Sequence, residues 1–237
     1  MNILVFLILN KMIKFLQLIL KITIIFLPWK LKRFILIKFF NYSLDPSSHI
    51  GLSWIYPNHL IMNEKSKIGH LNISIHLDSI ILYKYSKIGR ENWITGFSTK
   101  TNSKHFNHQI DRKSQLILGE YAAITKKHHI DCTSTVSIGK FTTVAGYRSQ
   151  ILTHSINIIE NRQESEPISI GDYCFIGTAS IILGGAELPS FSVLGANSLL
   201  NKKLAEEYSL YGGVPAKFIS TISQEAKYFT RTEGFVN

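Results

Sequence analysis

Between Ile170 and Leu200 an aliphatic residue recurs at every sixth position without a slip: Ile170, Ile176, Ile182, Leu188, Leu194 and Leu200. An amphipathic helix repeats at about 3.6 residues and a half-buried strand at about 2, so neither uses this period. The fourth residue after each of the earlier beats is small: Cys174, Ser180, Ala186, Ser192 and Ser198. A large side chain pointing inward, with a small one where the chain bends tightly, is what a β-solenoid of triangular cross-section demands, three hexads making one coil. A β-sandwich of short alternating strands would not require small residues at this period.

Upstream the pattern is looser. "IG" or "LG" stands at Ile50-Gly51, Ile68-Gly69, Ile88-Gly89, Leu118-Gly119, Ile138-Gly139 and Ile170-Gly171, spaced 18, 20, 30, 20 and 32 residues apart. These gaps read as whole coils with insertions. The long ones hold "STKTNSKHFNHQIDRKSQ" and "INIIENRQESEPIS", polar stretches expected to project as loops near residues 98–117 and 155–169. The expected organisation is a helical segment over residues 1–41, a solenoid domain over 42–220, and a tail over 221–237 carrying a short helix.

The first 41 residues differ in kind. Seven of the 26 lysines and arginines stand there among aliphatic and aromatic side chains, in a chain of net charge +10. Such a balance favours anionic partners: phosphate groups, acidic lipid or nucleic acid. Lys11, Lys14 and Lys21 interrupt the apolar run before it reaches the roughly 20 residues a transmembrane helix needs. On a wheel of about 100° per residue, Asn10, Lys14, Gln17 and Lys21 cluster within about 60°, with Lys11 beside them. The expectation is an interfacial helix that anchors without spanning, its lysines toward headgroups, ended by Pro28 and Trp29. "KLKR" would be drawn to the anionic cytoplasmic leaflet, so the expected location is the cytoplasmic face of the cell membrane, peripheral or monotopic. A cleaved signal peptide is not expected, because a basic n-region and a small-x-small site are both missing. Nor is nucleic acid: that partner wants basic and aromatic residues alternating along one groove, whereas the charge here collects in the greasy terminus. Cys132 and Cys174 are far apart, offer no metal framework, and read as core thiols in a reducing compartment.

Four motifs stand in order: "LTHS" with its polar loop, "PISIGDYCFIG", "LGANSLLNK" and "LYGGVPAKFI". Together they resemble the hexapeptide-repeat acyltransferases, in particular the sugar O-acetyltransferase branch. The resemblance is strong over Leu118 to Ser220, weaker over Ile50 to Phe97, and absent from the first forty residues. It implies a left-handed parallel β-helix, acetyl-CoA as acyl donor, a saccharide or lipid-linked saccharide acceptor, no metal, and a homotrimer with active sites between neighbouring solenoids. Two features depart from the pattern. Phe175 stands where the family often has tryptophan, and "ELPSFS" replaces a usual glycine, with Pro189 suited to the corner.

Moving an acyl group from a thioester to a hydroxyl needs a base, and histidine suits that role near neutral pH. Composition does not choose among nine histidines. His154 closes a regular coil segment and precedes the longest loop, where a solenoid forms a pocket mouth. By resemblance it matches the general base of similar sugar acetyltransferases. His128 takes a position that is small elsewhere, with Asp131 close by; either could bind the acceptor or orient His154, and an exposed surface pair is the equal alternative. Arg148 also takes a small-residue position and could hold a phosphate or an acidic sugar, or be a solvated corner residue. For the donor, stacked coils offer a straight groove of backbone groups. "IGTAS" and "LGANS" place Gly177, Thr178, Ala179, Ala196 and Asn197 one coil apart, small enough for close approach. The resemblance implies that these contact thioester and pantetheine, that an amide near Gly177 to Ala179 steadies the oxyanion, and that Lys217 meets a CoA phosphate.

The expected activity is therefore acetyl-CoA-dependent O-acetylation of a sugar hydroxyl in a surface polysaccharide or its lipid-linked precursor. The alternatives are N-acylation of an amino sugar, or a non-catalytic membrane-anchored solenoid scaffold, which would need neither "LTHS" nor "GGVPAK". A γ-class carbonic anhydrase would need histidines spaced to converge on zinc, and no such pair stands near the coils.

Overall fold

In the computed structural model, which describes residues 3–234 and 236, each hexad becomes one strand and one corner. Successive beats fall on successive faces of a triangular parallel β-helix. Ile170 and Leu188 pair on the first face, Ile176 and Leu194 on the second, and Ile182 and Leu200 on the third. The three faces are parallel sheets of 7, 9 and 7 strands, the second ending in an antiparallel pair, Ser209–Gly212 with Lys217–Thr221. All six beat residues are buried, and so are Cys174, Ser180, Ala186, Ser192 and Ser198 at the corners. Both cysteines are free thiols inside the core, where burial raises the Cys174 pKa to about 12.

The upstream "IG" series does not keep to one face. Ile50, Ile68 and Ile88 stack on the second face, whereas Leu118, Ile138 and Ile170 stack on the first. The segment between Thr95 and Gln115 leaves the solenoid and returns to it, so the 30-residue gap is not a whole number of coils plus a loop. The second insertion is also more ordered than its polar composition suggests. It is an antiparallel hairpin, His154–Asn157 against Arg162–Ser165, and His154 is its first residue.

One corner carries a ladder of aromatic rings. Tyr85, Tyr121, Phe141, Tyr173, Phe191 and Tyr208 stack in sequence with centroids 4.6 to 5.3 Å apart. All six have positive φ, between 52° and 60°, a conformation that costs a residue with a Cβ about 1–2 kcal/mol. Stacking offsets that strain, at about 0.5–1.5 kcal/mol per ring pair. The tail closes over this ladder: Phe229 meets Phe191 and Tyr208 edge-on, and Arg231 lies over Tyr173 and bonds to the Phe141 carbonyl. The short helix of the tail, Lys227–Thr230, lies here. Tyr173→Ala keeps the strained φ and loses both stacking partners, so it destabilises by roughly 1–3 kcal/mol, read as a lowered thermal midpoint.

The N-terminal segment forms two helices, α1 (Ile3–Phe26) and α2 (Trp29–Phe40), separated by Pro28. Thus Pro28 and Trp29 end the first helix as expected, but a second follows. Together they cap the open first coil. Lys32 is buried, and its ammonium donates to the Gly51 carbonyl at 2.7 Å; burial lowers its pKa to about 8. Ile24 joins the core, and the Tyr56 hydroxyl donates to the Lys21 carbonyl at 2.8 Å. Residues 11–20 of α1 are exposed on every side, apolar ones such as Phe15 and Leu16 included. The side chain of Asn10, part of the expected polar stripe, lies outside the described residues. Among the described residues, no helix is long and apolar enough to cross a membrane.

Candidate active site

His154 stands where the third face turns toward the first, immediately after the strand Gln150–Leu152. Strand stacking sets Leu152 beside Asp131 of the preceding coil. That register carries the Asp131 carboxylate to the next corner residue: His154 Nδ1 lies 3.0 Å from Asp131 Oδ2. A carboxylate only accepts, so Nδ1 carries the proton and Nε2 is left with a free lone pair. The His154 side chain is about half exposed, whereas that of Asp131 is only 8% exposed.

Asp131 is buried because its oxygens are satisfied. Oδ1 accepts from the Thr133 amide and hydroxyl, and Oδ2 from the amides of Thr153 and His154 and the Thr153 hydroxyl. Burial by itself would raise the Asp131 pKa; the bonds from His154, Thr133 and Thr153 outweigh it and hold the carboxyl below its usual range. In turn, the hydrogen bond to Asp131 raises the His154 pKa against the opposing effect of partial burial. The pair is thus a fixed imidazole with one nitrogen engaged and the other free to take a proton.

A cavity of about 230 Å³ opens at His154, lined also by Ser155, Glu164, Glu166, Gly184 and Asn201. Gly184 sits one coil below, and a Cβ there would fall 2.8 Å from the Thr153 carbonyl oxygen, so the packing against His154's neighbour requires glycine. Among the described residues its N–H has no backbone acceptor. Gly184 itself lines the cavity.

The expected donor residues gather at a different corner, between the second and third faces. Ala179 and Asn197 donate their amides up the stack, to Tyr147 and Thr178 carbonyls, and a Cβ on Gly177 would meet the Ala196 amide nitrogen at 2.4 Å. The Gly212–Gly213 turn continues the column, Gly213 bonding to Ser198, with Lys217 exposed on the strand that follows. Gly177, Thr178, Ala179, Ala196 and Asn197 are therefore brought together, in a cradle that side chains would fill. Within the chain, however, a full strand of the third face, Ile181–Leu183, separates Ala179 from the His154 cavity. Within one chain, Gly177 to Ala179 therefore lie apart from His154, and Gly184 is the glycine that lines its cavity.

His128 is not beside His154. It is buried with its ring nitrogens engaged, one with the Thr125 hydroxyl at 2.9 Å and one with the Ser149 amide at 3.2 Å. Its backbone amide extends a column of buried asparagines, Asn72 and Asn92. Burial lowers its pKa to about 4. The large group at a small-residue position is a rung of this ladder, with nothing left to offer an acceptor or His154. Arg148 is exposed, has φ 62°, and stacks in the same column as Ala179 and Asn197, not at the His154 mouth.

The sequence reading missed residues that reach His154 from the first insertion. The Phe106 ring meets His154 edge-on, 6.3 Å between centroids. Arg112 lies 4.7 Å over that ring and donates to the carbonyls of Phe97 and Thr133. Gln109 exchanges two hydrogen bonds of 2.8 Å with Ser165 of the hairpin. The available signal was a buried-type residue, Phe106, inside a stretch read only as polar.

No family profile and no curated protein matches the sequence. Solved structures do. The polysialic acid O-acetyltransferase OatWY aligns at TM-score 0.56 and 14% identity, over 81% of this chain and 90% of that one. The N-acyltransferase AntD from Bacillus cereus, in complex with dTDP and coenzyme A, aligns at TM-score 0.50 and 14% identity, over 77% of this chain and 85% of that one. The hexapeptide-repeat acetyltransferase VCA0836 from Vibrio cholerae shows 24% identity and TM-score 0.43, over 46% of this chain, which spans only 63% of that one. The chain therefore carries the parallel β-helix fold of the hexapeptide-repeat acyltransferases.

Proposed function

We propose that the protein is an acetyl-CoA-dependent O-acetyltransferase of a saccharide hydroxyl. The observation that carries this reading is the His154–Asp131 pair, with Nε2 free at the mouth of a cavity. In the reaction, His154 Nε2 takes the hydroxyl proton as the sugar oxygen bonds to the thioester carbonyl carbon. Asp131 stabilises the imidazolium that forms. Gly184, which lines the cavity, is our candidate for the amide that donates to the developing oxyanion. As the carbon–sulfur bond breaks, the imidazolium returns the proton to the leaving thiolate. Gly177 to Ala179, Ala196, Asn197 and Lys217 form the cradle that fits the pantetheine arm and phosphates of coenzyme A; since a strand of the third face separates it from His154 within one chain, the cradle serves the His154 of a neighbouring copy in a trimer. OatWY, an O-acetyltransferase of the same fold, supports the reading, while AntD, an N-acyltransferase, supports acyl transfer without choosing oxygen as the acceptor.

We place the enzyme on an anionic membrane surface, where a lipid-linked or membrane-proximal acceptor is in reach. The support is α1, whose exposed apolar residues are accompanied by Lys11, Lys14 and Lys21, in a stretch with no acidic residue before Asp45.

The test is transfer of isotope-labelled acetyl from acetyl-CoA into glycan and glycolipid extracts by the full chain. Alkali-labile label in the glycan is the expected result. Alkali-stable label would move the reading to N-acylation. No transfer and no acetyl-CoA binding would overturn it in favour of a scaffold.

A further inference from the structure

The two insertions meet over the candidate active site. Gln109 of the first is tied to Ser165 of the hairpin by two hydrogen bonds, and Arg112 fixes the first insertion to the solenoid through the Thr133 carbonyl. Between them lies a second cavity, of about 320 Å³, separate from the one that opens at His154. Phe106 lines it and links it to the candidate base, its ring lying 6.3 Å from that of His154 and 6.5 Å from that of His105.

The lining of this cavity is one-sided in charge. Lys104, His105 and His108 come from the first insertion and Arg162 from the hairpin, and among the described residues no carboxylate lines it. Glu164 lies outside the lining and accepts from Arg162 at 2.9 Å and from Asn157 at 3.0 Å. Among the described residues Lys104 has no ion-pair partner, and the imidazoles of His105 and His108 and the amide of Gln163 add hydrogen-bonding groups to the lining. Cationic and imidazole donors converging in a concave site, with an aromatic wall, suit a carboxylate or phosphate carried on a sugar ring. The position is what gives the cavity meaning, since a saccharide seated there extends past Phe106 to the free nitrogen of His154.

We infer that the cavity between the two insertions is an acceptor subsite for an acidic saccharide, whose anionic group is held by Lys104, His105, His108 and Arg162. The inference rests on the acyltransferase reading for its link to catalysis, but binding at the subsite does not.

The experiment is calorimetric titration of the full chain, without acetyl-CoA, with trigalacturonic acid and with its fully methyl-esterified, uncharged counterpart. The acid is expected to bind at least tenfold more tightly than the ester and to weaken as salt is raised from 50 to 500 mM, roughly beyond the screening length of exposed charge. The double variant Lys104→Gln, Arg162→Gln, with circular dichroism and thermal midpoint matched to the parent, is expected to bring the acid down to the affinity of the ester. Equal affinity for acid and ester, no binding of either, or an unaffected double variant would overturn the subsite. If the acid binds as expected while no acetyl is ever transferred, the subsite stands and the acyltransferase reading falls.

Discussion

His154→Ala lowers the acetyl-transfer rate by about 10²–10⁴-fold, the usual contribution of a positioned general base, with little change in acetyl-CoA affinity, because the donor cradle stands at another corner. The His154 side chain is about half exposed, and Asp131 keeps its bonds from Thr133, Thr153 and the His154 amide, so the fold survives the substitution. Asp131→Asn tests the second half of the pair through pH. In the parent the hydrogen bond to Asp131 raises the His154 pKa, and a base works only when neutral, so kcat/KM climbs with pH through a value above that of ordinary histidine. With asparagine the carboxylate is gone, the His154 pKa falls, and the rising limb moves to lower pH. The plateau drops as well, by roughly 10²-fold, since the imidazolium loses its stabiliser and Nδ1 its directed acceptor. A pH–rate profile reads both effects. A limb that stays in place, or moves to higher pH, would remove Asp131 from the mechanism.

How far the site could be read from the chain depends on how each residue is placed. The six-residue beat told the three faces apart, since a single face strand plus a corner consumes one hexad, and Ile170 to Leu200 rotate through the faces in that order. His154 was legible because it ends a regular coil where an insertion starts. Asp131 was named, but its bond to His154 depends on coil stacking across a separation of 23 positions, and the local sequence around either carries no sign of it. His128 was misleading for a physical reason. A bulky polar residue at a small-residue position does break the packing rule, but Asn72 and Asn92 break it in the same column upstream, and the three satisfy one another's backbone. The hexad count also puts Gly177 to Ala179 one face away from the corner of His154 and Gly184 within a chain, so an oxyanion donor there depends on a neighbouring chain, which no single-chain pattern encodes. Phe106, Gln109 and Arg112 depend on two insertions docking on each other, which no periodicity encodes.

The full chain is expected to bind vesicles containing anionic lipid and to leave them when the charge of α1 is reversed. Lys11 and Lys14 are fully exposed on a helix whose neighbouring side chains are apolar, and the first 44 residues contain no acid to compete for them. A basic residue near an anionic leaflet contributes about 1 kcal/mol, and about 1.4 kcal/mol is tenfold in affinity. Neutralising both lysines therefore weakens binding by roughly thirtyfold, and Lys11→Glu with Lys14→Glu weakens it further, because attraction becomes repulsion. Cosedimentation with phosphatidylserine-containing vesicles, against phosphatidylcholine alone, measures this. Raising salt is expected to release the parent from the anionic vesicles while the apolar contribution of Phe15, Leu16 and their neighbours persists. The solenoid carries its own cap contacts through Lys32 and Tyr56, so the charge reversal leaves its thermal midpoint unchanged. Equal binding to both lipids would make the lysines irrelevant. Binding to neither, together with a larger assembly that dissolves when Phe15 and Leu16 are made serine, would assign the exposed face of α1 to a second copy of the chain instead of a membrane.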